Sequence, residues 1–284
     1  MRRLVTGAVI GACVWTASLA AQQPTPSGLH LTALSARPDL VTGGDVLVQV
    51  DGARPGRVMI RLNGANVTAA FRMTPTRTLV GLVTGLRAGA NTIEASAPGS
   101  KAPVQLAVVN HAITGPLIYS PHQTPFACET AASGLGAPLD ADCSGPVKVE
   151  YFYRSSSAPA APQGAQGDLA AADNANGFGG GAAANNPFKP LDPAKPRPAD
   201  VAMTTTSDGR TVPYIVRREM GTINRAVYSI AILHEPGTPL PSPWMRGTWN
   251  GKLVYTFGGG VAAGYHQGRT IGGLNGGRSN LEDG

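Results

Sequence analysis

From residue 29 to residue 109 one local pattern recurs, and it confines this chain to a β architecture. Val46, Val48 and Val50 alternate with Leu47 and Gln49, and Val58, Ile60 and Leu62 alternate with Met59 and Arg61. Such alternation puts one face of an extended chain into a core and the other toward water. A further apolar run lies at residues 79–83, residues 86–93 read as a turn feeding a strand, Val104, Leu106 and Val108 complete the set, and Asn63-Gly64 after Leu62 is a tight-turn signal. Strands this short, separated roughly every ten residues by Gly or Pro, predict an antiparallel sandwich of immunoglobulin-like size over residues 24–112. Composition agrees with that reading. Glycine (37) and proline (24) are abundant and only 14% of residues are charged, which suits strands and turns better than long helices.

The first twenty residues read as an export signal. Arg2 and Arg3 give a positive start, residues 4–20 carry no charge, and Ser18-Leu19-Ala20 places small residues where a signal peptidase cuts. The apolar run is interrupted by Gly7, Gly11 and Thr16, which argues against a permanent membrane span. A looser pattern, Ile10-Gly11-Ala12-Cys13, resembles a lipoprotein box and leaves a tether at Cys13 as a lesser alternative to release. The expectation is a secreted or periplasmic protein with no membrane attachment after cleavage. Cys128 and Cys143 are then the remaining cysteines, and an even pair in an exported chain predicts one disulfide.

Charge and composition narrow the partners. The formal net charge of +6 falls to about +4 once Arg2 and Arg3 leave with the signal. Basic residues are dispersed rather than gathered on a stripe with aromatic platforms, so nucleic acid is not an expected partner. The five histidines are scattered and predict no metal site. No cofactor motif stands out.

Beyond the sandwich, residues 113–154 read as a connecting region holding the disulfide. Residues 155–200 read as a linker. Its first part is rich in Ala, Gly, Pro, Asn and Gln and too poor in large apolar residues to offset its ordering entropy. Its last part is stiffened by Pro190, Pro193, Pro196 and Pro198. Strand signals return over residues 201–284. Residues 211–217 predict an edge strand because of Pro213, and residues 226–233 (AVYSIAIL) a more buried one. The two are expected to be antiparallel, joined through Glu219-Met220-Gly221. Residues 252–257 predict a third, central strand.

That third strand ends in Gly258, Gly259 and Gly260, and three readings of the glycines remain open. Bare backbone after a buried strand can bring peptide N–H groups to a substrate oxyanion. Gly258, Gly260 and Ala263 also satisfy a dinucleotide fingerprint, but Gly264, Gly268, Gly272 and Gly273 break the helix it requires. The third reading is tight packing against a neighbour, with no ligand.

A resemblance favours the first. Trp249-Asn250-Gly251-Lys252, the apolar run and Gly258-Gly259-Gly260 resemble the corresponding segment of secreted tannase and feruloyl-esterase-type α/β-hydrolases. The stretches GPLIYSPHQTPFACET, GAPLDADCS, VEYFYRS, FKPLDP, DGRTVPYIVRREMGTINRAVYSIAIL, NGKLVYTFGGG and AGYHQG are similar to a group of large exported bacterial proteins of uncharacterised function with a hydrolase-like core. The resemblance implies an oxyanion loop at Gly258, Gly259 and Gly260, and places Tyr265 and His266 where they either line a pocket or cap it. His266 is not expected as the catalytic base, which in that fold follows the nucleophile. No G-x-S-x-G occurs in the chain, and Gly277-Arg278-Ser279-Asn280-Leu281 lacks the second glycine. The fold expected is therefore mainly β: an immunoglobulin-like sandwich, then the first strands of an incomplete α/β-hydrolase-like domain. The glycine-rich tail fits a truncated or frameshifted product. The function expected is the N-terminal portion of a serine-type ester hydrolase, itself without the nucleophile, acting on an extracellular ester or polymer. The alternative is a non-catalytic secreted sandwich that binds a polymer or a cell-surface component.

Overall fold

The computed structural model describes residues 28–52, 56–99, 102–118, 121–157, 188–255 and 265–267. The signal at residues 1–20 with Cys13, most of the linker, the glycines Gly258, Gly259 and Gly260 and the tail after residue 267 lie outside the described residues.

The described chain is mainly β and contains no α-helix. Its first part runs β1 (His30–Ala33), β2 (Val41–Thr42), β3 (Asp45–Asp51), β4 (Met59–Leu62), β5 (Ala65–Asn66), β6 (Phe71–Met73), β7 (Leu79–Thr84), β8 (Gly89–Ser96) and β9 (Val104–His111). These form a four-stranded sheet in the order β1-β3-β7-β6 and a five-stranded sheet in the order β2-β9-β8-β4-β5. All pairs are antiparallel except β2 with β9.

The two sheets share one core. Val46, Val48, Val50 and Val83 from one sheet pack with Val41, Ile60, Ile93 and Val108 from the other. The alternation legible in the sequence is realised on β3, whose three valines are at most 2% exposed. Burial of each such side chain is worth about 1.5–3 kcal/mol. Asn63 (φ 48°) and Gly64 (φ 88°) turn β4 into β5, the left-handed pair that a two-residue hairpin requires.

Asn91 and Asn110 are the buried polar residues of the described two-sheet unit, and Asn91 is the deeper. Asn91 is 3% exposed. Its Nδ2 donates to the carbonyls of Arg87 (2.8 Å) and Gly89 (2.9 Å). Its Oδ1 accepts from the Arg87 amide (2.9 Å) and from Asn63 Nδ2 (2.8 Å). Both ends of the carboxamide are satisfied, so the residue ties the turn before β8 to the turn after β4.

The second part contains β10 (Lys148–Arg154), β11 (Phe188–Leu191), β12 (Met203–Thr205), β13 (Thr211–Pro213), β14 (Ile215–Ile223) and β15 (Ala226–Leu233). Four of these form an antiparallel sheet in the order β11-β10-β14-β15, and β12 pairs with β13 alone. Consecutive residues Ile215 and Val216 point to opposite faces, yet both are at most 1% exposed. Each belongs to a separate cluster, Ile215 with Tyr153 and Leu191, Val216 with Phe188, Tyr214 and Leu233. β14 is thus covered on both faces, which makes it the centre of this sheet.

Several sequence expectations change here. Residues 211–217 form not one strand but two, broken at Tyr214, because Pro213 removes a ladder donor. The reversal between β14 and β15 falls at Asn224 (φ 47°) and Arg225 (φ 66°), so Glu219-Met220-Gly221 lies inside β14. Among the described residues β15 is an edge strand and is largely exposed, Ile230 to 50%, whereas the sequence placed it deeper. β10 arises within the stretch expected to be a connection, and β11 within the Pro-rich stretch. Trp244, in the loop after β15, donates its indole N–H to the carbonyls of Arg72 (3.1 Å) and Val80 (3.2 Å), bringing that loop onto β6 and β7.

Candidate functional site

The glycines themselves are outside the described residues, but the chain on either side of them is not. Each flank is held by a different element.

Upstream, the anchor is the turn between β12 and β13. Thr206 and Arg210 close that turn by backbone bonds, and the Thr206 hydroxyl bonds the Asp208 carboxylate. That hydrogen bond, with Arg210 beside it, holds the Asp208 carboxyl below its ordinary range. The ionised Asp208 accepts from Arg210 Nε at 2.9 Å. The other two guanidinium nitrogens then donate to the carbonyls of Gly247 (2.7 Å) and Thr248 (2.8 Å). Thr248 hydroxyl bonds the carbonyl of Leu233, at the end of β15. Asn250, 8% exposed, donates to Ser207 Oγ and accepts from the Lys252 amide, both at 2.9 Å. Gly251 has φ 87°, a left-handed conformation that strains any residue with a Cβ.

The predicted central strand at residues 252–257 is not formed over residues 252–255. Leu253 is 85% and Tyr255 72% exposed, and no strand pairs with them among the described residues. A strand becomes buried only when neighbours take its backbone groups on both sides.

Downstream, the anchor is the disulfide. Cys128 and Cys143 are bonded, with Cα atoms 5.2 Å apart, as their count predicts. Closing this loop stabilises the fold by about 3 kcal/mol in the chain-entropy picture. Asp140 shapes its far end, accepting from the amides of Asp142 (2.9 Å) and Ser144 (3.0 Å). Bonds from Ser144 hold its carboxyl below the ordinary range. The loop rests on the second sheet: Gly145 amide donates to Thr222 Oγ at 2.8 Å, and the Arg225 guanidinium lies 3.8 Å over the Phe126 ring.

Residues 265–267 lie along this loop as a short parallel bridge. The Ala127 amide donates to the Tyr265 carbonyl and the Gln267 amide to the Ala127 carbonyl, each at 2.9 Å. His266 Nδ1 meets Glu129 Oε2 at 3.0 Å, with the ring 37% and the carboxylate 24% exposed. Tyr265 is 62% exposed. A second imidazole–carboxylate pair joins His122, ahead of the loop, to Asp142 on it (3.1 Å).

Of the residues singled out by sequence, Tyr265, His266, Cys128 and Cys143 therefore come together in one place. Glu129, Gln267 and Arg210 escaped notice. Glu129 and His266 are 137 residues apart, and no local pattern joins them. A carboxylate that accepts from an imidazole fixes the orientation of the ring. Among the described residues no three of His, Cys, Asp and Glu gather as a metal site, and no helix is long and apolar enough to cross a membrane.

A search of curated proteins finds no match to this sequence. A family model matches residues 31–284, from β1 through both anchors and the glycine run. The chain belongs to the tannase-like family of unknown function (DUF6351).

Proposed function

We propose that this protein is exported and carries the oxyanion-stabilising side of a serine-type ester hydrolase. Membership of a tannase-like family supports the reaction class. One structural observation carries the assignment of the site: both flanks of Gly258-Gly259-Gly260 are held, one by Arg210 and Asn250, the other by the Cys128–Cys143 loop. A loop that must offer N–H groups to a developing negative charge needs fixed ends, because preorganised donors cost no rearrangement when the charge appears. The substrate class is an ester outside the cell, free or borne on a polymer. The disulfide suits an oxidising compartment. The two-sheet unit of β1–β9 is read as an immunoglobulin-like sandwich that orients its neighbour, and the β14–β15 hairpin as the opening of an α/β-hydrolase sheet.

No G-x-S-x-G element that would carry the attacking serine occurs in these 284 residues. The chain alone is therefore expected to turn over no simple aryl ester. Turnover that a catalytic-serine reagent abolishes would overturn this division of labour. Retention of the chain on insoluble polysaccharide or polyester through residues 24–112 would instead favour the binding module.

A further inference from the structure

Gln267 is 8% exposed and does more than fill space. Its Oε1 accepts from the Glu129 amide at 2.8 Å, and its Nε2 donates to the Cys143 carbonyl at 2.8 Å. One carboxamide thus spans the two strands of chain that the Cys128–Cys143 bond joins. Its backbone amide adds a third bond, to the Ala127 carbonyl. Glu129 is the residue whose amide Gln267 holds and whose carboxylate meets His266.

We infer that Gln267 is a positioning residue: seated across the closed disulfide loop, it sets His266 against Glu129. The geometry follows from the chemistry of a carboxamide carried on a side chain long enough to span the gap. A carboxamide offers an acceptor and a donor on one rigid plane, so it can serve an amide on one side and a carbonyl on the other. Glutamate keeps the acceptor and loses the donor, and alanine loses both. Buried, either loss leaves a backbone group without a partner. The disulfide matters to this arrangement because it holds Glu129 and Cys143 at the separation that the carboxamide spans. The role of the His266–Glu129 pair in ester chemistry rests on the reading proposed above; the docking of residues 265–267 does not.

The test uses the full oxidised chain as wild type, Gln267→Ala and Gln267→Glu. Amide hydrogen exchange is measured at Ala127, Glu129 and Gln267, and ring-nitrogen shifts are measured at His266. Gln267→Ala is expected to speed exchange at Glu129 by roughly tenfold or more and to change the His266 Nδ1 shift. Gln267→Glu gives a smaller rise at Glu129, because its acceptor survives. Protection at Val48 and Val216 stays at the wild-type level. Unchanged exchange at Glu129 with an unchanged His266 signature overturns the inference, and so does a loss spread equally over β3 and β14 in both variants. If Gln267→Ala alone fails to fold, Gln267→Glu decides by the same two readouts. No ester enters these measurements, so their failure and a failure of the hydrolase reading are told apart.

Discussion

Replacing Arg210 by alanine removes the upstream anchor of the glycine run and little else. The guanidinium makes two bonds to neutral carbonyls, Gly247 at 2.7 Å and Thr248 at 2.8 Å, and an ion pair with Asp208 at 2.9 Å. Its side chain is 38% exposed, so water competes for each of these. A charge-assisted bond in a dry site contributes about 1.5–3 kcal/mol; here about 0.8 kcal/mol each is the discounted figure. The exposed ion pair with Asp208 adds little in water. The two carbonyl bonds together, about 1.6 kcal/mol, correspond to roughly a fifteenfold rise in local opening. The amides of Trp249 and Lys252, which bond Arg246 O and Asn250 Oδ1, report it by hydrogen exchange. Arg210→Lys keeps the charge but not the fork and recovers less than half of the effect in free energy. Exchange at both amides within twofold of wild type in Arg210→Ala would refute the anchor.

Two further predictions concern stability. Asn91→Ala strands the Arg87 and Gly89 carbonyls and the Arg87 amide in a buried site and is expected to cost about 2–4 kcal/mol in urea unfolding, against under 1 kcal/mol if those groups find water. Glu150 gives a pH dependence. Burial pushes its carboxyl up, but hydrogen bonds from Arg218 (2.7 Å) and Lys148 (3.1 Å) outweigh this and hold it below the ordinary 4.5. Its contribution is therefore complete above pH 4.5 and is lost as pH falls through the lowered folded value. Glu150→Gln should flatten the acid limb of the stability profile by up to about 1 kcal/mol, and an unchanged limb would count against the pairing.

The parts of this fold that were legible in sequence are those decided locally. β3, β4 and β9 show as alternation because one face meets one core, β7 shows as an apolar run and β8 as a strand fed by a turn, and the Asn63-Gly64 turn announces its own backbone. The Cys128–Cys143 pairing follows from counting. What escaped is decided at a distance. β10 reads KVEYFYR, with neighbouring aromatic residues that belong to different faces, so period two is masked. β11 contains Pro190, which looks like a linker residue and is tolerated because β11 is an edge. The turn at Asn224-Arg225 hides because arginine carries no turn signal. AVYSIAIL looks like a core strand, but burial depends on what lies beside it, and β15 has a strand on one side only among the described residues. At the site, Tyr265 and His266 came from resemblance. Glu129 and Gln267 became visible only when the disulfide loop brought chain ends 124 to 138 residues apart together.

The central claim is that the glycine bend between the two anchors turns its amides to an oxyanion. Nuclear magnetic resonance of the backbone amides of Gly258, Gly259 and Gly260, titrated with an arylphosphonate as a tetrahedral oxyanion mimic, tests it most directly. Saturable downfield shifts concentrated at Gly259 and Gly260, on amides that exchange freely with solvent, are the predicted result. Solvent-protected glycine amides that do not respond to the phosphonate would contradict it.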